Sequence, residues 1–178
     1  KNMNRLEELL IFILDRADKM GIKNLSSFQM FKIPYLVQVL SIKYAGMLFI
    51  PETTFIRDKN GPISIDIYSA IETLKNKGYI KKDILDNAKY SHPRYAHTLI
   101  KKLPKPSFNQ GEVIFLDNFL SKLLPLSIKR LKDMVYKTEP MQAIKKEERG
   151  ENIKKGAVIN FSLVTVDPEV VETYSDTV

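Results

Sequence analysis

The chain has 178 residues, 44% of them hydrophobic, with 28 Lys and Arg against 21 Asp and Glu for a formal net charge of +7. Such a composition buries a sizeable core and excludes global disorder, and no run reaches the roughly 18 apolar residues of a membrane span. The absence of cysteine removes disulfides, thiolate metal sites and thiol catalysis.

The first predicted helix opens at Asn4, with Glu7 three residues on as a capping box. Leu6, Leu9, Leu10, Ile13, Ala17 and Met20 follow at helical spacing, and Gly21 closes it. Acidic residues precede LLIFIL and Asp15 follows it, which argues against a signal peptide, so a cytoplasmic location is expected. Ser26 or Ser27 caps a second helix running through Phe31, Tyr35, Leu36, Val39 and Tyr44 to Gly46. Pro34 inside it removes a backbone hydrogen bond, so a kink, or an effective start near Ile33, is expected. Met47 to Ile50 and Thr53 to Arg57 are β-rich runs separated by Pro51, the pattern of a strand or irregular hairpin.

Asn60-Gly61-Pro62 then makes a turn, and Ser64 caps a third helix over about Ile65 to Asn76, with Ile67, Ile71 and Leu74 on its apolar face. Tyr79 to Lys82 and Tyr95 to Lys102 read as partner strands around the polar stretch Asp83 to Pro93, the outline of a winged-helix wing or of a hairpin in a mixed domain. Pro104, Pro106 and Gly111 mark a linker to C-terminal helices capped at Asn109 or Gln110 and at Ser127. A short helix after Thr138-Glu139-Pro140 reaches Lys146, and Ala157 to Val166 is a strand or extended segment. The expected fold is α+β and predominantly helical, with a small wing-like hairpin between the N-terminal and C-terminal helices. One domain is expected over residues 1–166, followed by an acidic, mobile tail at 167–178.

The charge is uneven. Between Lys75 and Lys105 there are nine basic residues and two acidic ones, a surplus equal to the whole net charge. Lys81, Lys82, Lys101 and Lys102 form the candidate basic patch, suited to phosphates or an acidic protein, or serving as a solvated surface. Chemistry-bearing constellations are scarce. His92 and His97 are five apart, which on a strand puts them on opposite sides, so both are expected at the surface and not as a metal pair. The acidic pairs Glu7-Glu8 and Glu147-Glu148 are adjacent residues, expected on solvated helix faces. No phosphate-binding, zinc-protease or nucleophile-elbow motif occurs, so no catalytic residue, metal or cofactor is expected.

Lys32 and Tyr35 lie three apart on one helix face. With Asn60, Gly61, Pro62 and Tyr68 they are the candidate rim of a binding groove, although both tyrosines also suit a core.

The order of these parts resembles the Panacea domain family of SocA-like antitoxins and phage-associated proteins. The resemblance spans about Ser26 to Met141 and rests on Lys32-Ile33-Pro34-Tyr35, Lys43-Tyr44-Ala45-Gly46, Phe55, Asn60-Gly61-Pro62, Tyr68 and Glu139-Pro140-Met141. It departs from the family pattern at Pro34, at Val135-Tyr136, where the family often has Ser-His, and at Met141, where it has Trp. The resemblance implies a non-enzymatic protein that binds and neutralises a co-encoded toxin protein, in some members as an adaptor to a protease. The rival expectation is a winged-helix nucleic-acid-binding regulator, with the third helix in the major groove and the four lysines on phosphates. Against it, Asn76 is the main base-reading side chain that helix offers.

Overall fold

Residues 3–85, 93–103 and 105–169 are described by a computed structural model of the chain. The expectations for His92, Lys89, Pro104, most of the polar 83–93 stretch and the tail from 170 onward lie outside these residues. Helix α1 (Arg5–Lys19) starts at the predicted box: Asn4 Oδ1 accepts from the Glu7 N–H at 2.8 Å, and Glu7 Oε1 from the Asn4 N–H at 3.1 Å. Its residues are buried almost without interruption from Leu6 to Asp15, so it sits inside the molecule with neighbours on all sides.

A two-residue strand, β1 (Leu25–Ser26), leads into α2 (Ser27–Ala45), which is capped by Ser26 with Gln29 and closed by Gly46 at φ +71°. Pro34 lies within this helix, which begins at Ser27 rather than near Ile33. A lost backbone bond and ring clash cost about 3 kcal/mol. Burial of Met30, Phe31, Ile33, Leu36 and Val37 offsets it, at roughly 1.5–3 kcal/mol each.

Strands β2 (Ile56–Asp58) and β3 (Gly61–Ile63) form a hairpin, followed by α3 (Ile65–Asn76), whose cap is Ser64 as expected. Strands β4 (Ile80–Leu85) and β5 (Arg94–Leu99) pair antiparallel, and β1 adds to β5, giving the order β1-β5-β4. Three helices complete the chain: α4 (Gln110–Leu123), α5 (Ile128–Tyr136) and α6 (Glu139–Glu147). The fold is therefore α+β and predominantly helical. Without the β2–β3 insertion, the order α1-β1-α2-α3-β4-β5 has a winged-helix outline.

After α6 and a loop that ends in a turn at Gly156, the chain runs as an extended strip at 157–159 and then a 3-10 turn, Phe161–Leu163. Arg57 N–H donates to the Ala157 carbonyl at 2.8 Å and Ile159 N–H to that of Phe55 at 2.9 Å, so this strip lines the free edge of the hairpin. Ile159, Phe55, Tyr35 and Phe161 then pack together, with Phe55 and Phe161 each near edge-on or tilted to Tyr35 at 5.6 Å.

Three surface expectations are corrected; of the Glu147-Glu148 pair, Glu148 lies past the end of α6 with its side chain buried against Arg57. His97 is buried: β1 covers it, and Nδ1 lies 2.9 Å from the Leu25 carbonyl oxygen. Burial lowers its pKa below the ordinary value. Glu7 and Glu8 are buried too, because the first binds its own helix cap and the second bonds Ser107 in the linker to α4. No helix among the described residues is long and apolar enough to cross a membrane.

Candidate partner-binding site at the Gly61-Pro62 turn

The β2–β3 register pairs Asp58 with Gly61 and Arg57 with Pro62, so the turn is Lys59-Asn60 and not the expected Asn60-Gly61-Pro62; Gly61 and Pro62 open β3 because they pair back onto β2. Gly61 has φ +110°, a region that disfavours any side chain. A Cβ there would also lie 3.3 Å from Lys32 Cε, 3.6 Å from Tyr136 Cε2 and 3.7 Å from Val135 Cγ1. The lysine stem of α2 and the end of α5 thus close on the turn from two sides. Lys32, only 2% exposed, donates from Nζ to the Pro62 carbonyl at 2.9 Å, and the Phe28 ring lies 4.8 Å away. Burial pulls its pKa down from 10.5 to about 7; Asp58 opposes this, and Lys132 and Arg57 add to it.

Arg57 is the residue that the sequence analysis missed. It is buried, and its guanidinium donates to both Glu148 oxygens at 2.9 and 3.0 Å, to the Asp58 carbonyl at 2.6 Å and to Tyr136 Oη at 2.8 Å. These bonds hold the Glu148 carboxyl down at about 2. The only signal was one cation in the strand-like run TTFIRD, and nothing in the sequence pointed to a partner 91 positions on.

The predicted rim residues divide. Lys32, Gly61 and Pro62 are in contact, and Asn60 is exposed at the tip. Tyr35 is buried in the core, its hydroxyl 2.7 Å from Thr138 Oγ1, and burial raises its pKa. Tyr68 is 47% exposed, with its ring centroid 4.6 Å from that of Phe31, the α2 residue beside Lys32. Burial raises its pKa first, and the nearby Asp58 and Tyr95 add to the shift. Tyr95 pairs across the hairpin with Ile84, which is 69% exposed, and Ile65 is exposed one turn before Tyr68.

The basic residues do not share a face. Strand alternation sets Lys81 and Lys82 on opposite sides of β4. Lys82 Nζ sits 4.4 Å over the Tyr95 ring and 4.0 Å from Glu72, while Lys81 is exposed and lies 3.5 Å from Asp83. Lys101 Nζ is 4.9 Å from the Tyr79 ring, and Lys102 is exposed. Among the described residues no group of three or more His, Asp or Glu is placed to hold a metal. Comparison with family models, with characterised proteins and with solved structures finds no match to this chain.

Proposed function

We propose that this chain is a non-enzymatic, antitoxin-type protein that binds and neutralises a toxin protein encoded beside it, using the edge of α3 around Tyr68. The observation that carries this reading is the Tyr68 ring, backed by Phe31 and flanked by exposed Ile65, with Tyr95 and exposed Ile84 beyond. A ring held by a buried neighbour loses little freedom on docking, which suits an interface anchor. The motif order resembling the Panacea family supports the same class of partner. In this reading Lys32, Gly61 and Pro62 hold the surface in shape, and the partner meets Tyr68 and Asn60.

The test is co-expression with the product of the adjacent reading frame, followed by size-exclusion chromatography. One joint peak and restored growth are expected, with Tyr68→Ala weakening the complex by about 2 kcal/mol or more. Separate peaks and no rescue of growth overturn the proposal.

A second reading, a nucleic-acid-binding regulator, draws on the winged-helix outline and the exposed Lys81, Lys101 and Lys102. The exposed side of α3 argues against it, since it presents Asp66 and Glu72 with Ile65 and Tyr68, and its Lys75 is paired with Glu72 at 3.2 Å. Carboxylates repel the phosphates a recognition helix must pass between.

A further inference from the structure

We propose that the cavity between the N-terminal turn of α1, residues 50–53 and α3 binds an alkyl-guanidinium or alkyl-ammonium group, the chemistry of an arginine or lysine side chain or of a free small amine. The cavity measures about 520 Å³, within the ordinary range of ligand pockets. Its apolar surface comes from Leu6, Ile50 and Ala70, all buried, against which a methylene chain packs.

Its charge is the reverse of the molecule's. Glu7, Glu52 and Asp66 line it, and the one lining cation, Arg5, is engaged by Glu112 and the Phe49 carbonyl. Each carboxylate keeps acceptor capacity. Among the described residues Glu52 has no hydrogen bond or ion pair; Glu7 uses Oε1 for the Asn4 N–H, and Asp66 uses Oδ2 for the Thr54 N–H at 2.8 Å. The start of α1 carries partial positive charge, about half a unit, which the three carboxylates outweigh.

An independent observation shows a buried polar group at the cavity wall without a partner. Thr53 lines the cavity and is 8% exposed, yet its hydroxyl has no hydrogen bond among the described residues. Buried hydroxyls are rarely left so; a guanidinium or ammonium N–H would give the oxygen a donor, leaving the O–H free to turn to a lining carboxylate. Ser69 adds a hydroxyl from α3 on the same wall.

The test is an NMR titration of the isotopically labelled chain with agmatine, with an acetylated arginine amide, and with acetate as control. Saturable shifts are expected at the amides of Leu6, Thr53 and Ser69 with at least one cation, and none with acetate. Agmatine alone identifies a free amine as the occupant, the amide alone a side chain, and both leave the shared chemistry established. Glu52→Gln, at an exposed position, and Glu52→Gln with Asp66→Asn are expected to weaken binding stepwise, about tenfold in the double variant. Thr53→Val is expected to weaken it about threefold while leaving the melting temperature unchanged or higher. No saturable shift with either cation to about 10 mM overturns the proposal, as do folded variants that bind like the parent or equal binding of acetate. No partner protein enters this experiment, so its failure is separate from failure of the toxin complex.

Discussion

At Gly61 the backbone and the packing demand the same residue. Gly61→Val combines an unfavourable φ with a tight approach to the Lys32 stem, and a loss of more than about 1 kcal/mol is expected in urea unfolding. An unchanged midpoint would show that the turn does not need this conformation. Lys32 beside it makes a pH prediction with a definite sign. Its folded pKa, about 7, lies below its ordinary 10.5, so folding penalises the charged amine. That penalty is complete below about 7, and stability rises from there toward 10.5, where the unfolded chain holds the extra proton. The rise is expected to vanish in Lys32→Met, read as the difference between the two proteins so that tyrosine titration cancels. Glu148 runs the other way. Its lowered pKa contributes stability above the ordinary 4.5, lost as pH falls toward about 2. Arg57→Met leaves that buried carboxylate with only the Lys154 N–H at 2.8 Å and the Lys145 ammonium at 3.9 Å, and a cost of about 3 kcal/mol is expected by denaturant melts.

Helices were legible where the cap and the apolar period agree. The boundaries of α3 follow from Ser64, whose hydroxyl accepts the Ile67 N–H at 3.3 Å, and from the apolar residues Ile67, Ile71 and Leu74. Ser64→Ala is expected to cost about 1 kcal/mol, checked by thermal unfolding. An unchanged melting temperature would assign the helix start to packing alone. Pro34 misled because its cost is local and visible, while the burial that offsets it depends on neighbours from elsewhere in the chain. Strand β1 has two residues, too few to show a period, and with it went the reason His97 is covered. Ala157 to Val166, read as a strand or extended segment, is extended at 157–159 and turns at Phe161–Leu163; pairing is a property of two segments, and nothing local names Phe55 and Arg57 as its partners. Of the candidate site, the Lys32–turn contact was anticipated as a grouping, while Tyr35 belongs to the core and Tyr68 to the surface. Spacing along a helix places two residues near one another without saying how deep either lies.

Across the whole molecule, the surplus of positive charge is spread over different faces of the hairpin, and part of it is spent on Glu72, Asp83 and aromatic rings. Duplex DNA binding is therefore expected only in the non-specific range of about 10–100 μM at physiological salt. Sequence-dependent nanomolar binding, with a log-log salt slope of roughly −3 to −4 that flattens on converting Lys81, Lys82, Lys101 and Lys102 to Gln, would reverse the ranking of the two functions. The Arg57–Glu148 pair also has a consequence for synthesis. The β2–β3 hairpin leaves the ribosome before its charge partner Glu148, which lies 91 positions further on, and before the edge strip that follows it. Until they arrive, Arg57 has no carboxylate to meet and the strand edge stays open. A translation product interrupted before residue 148 thus carries the hairpin sequence without the ion pair and the edge strip that finish it.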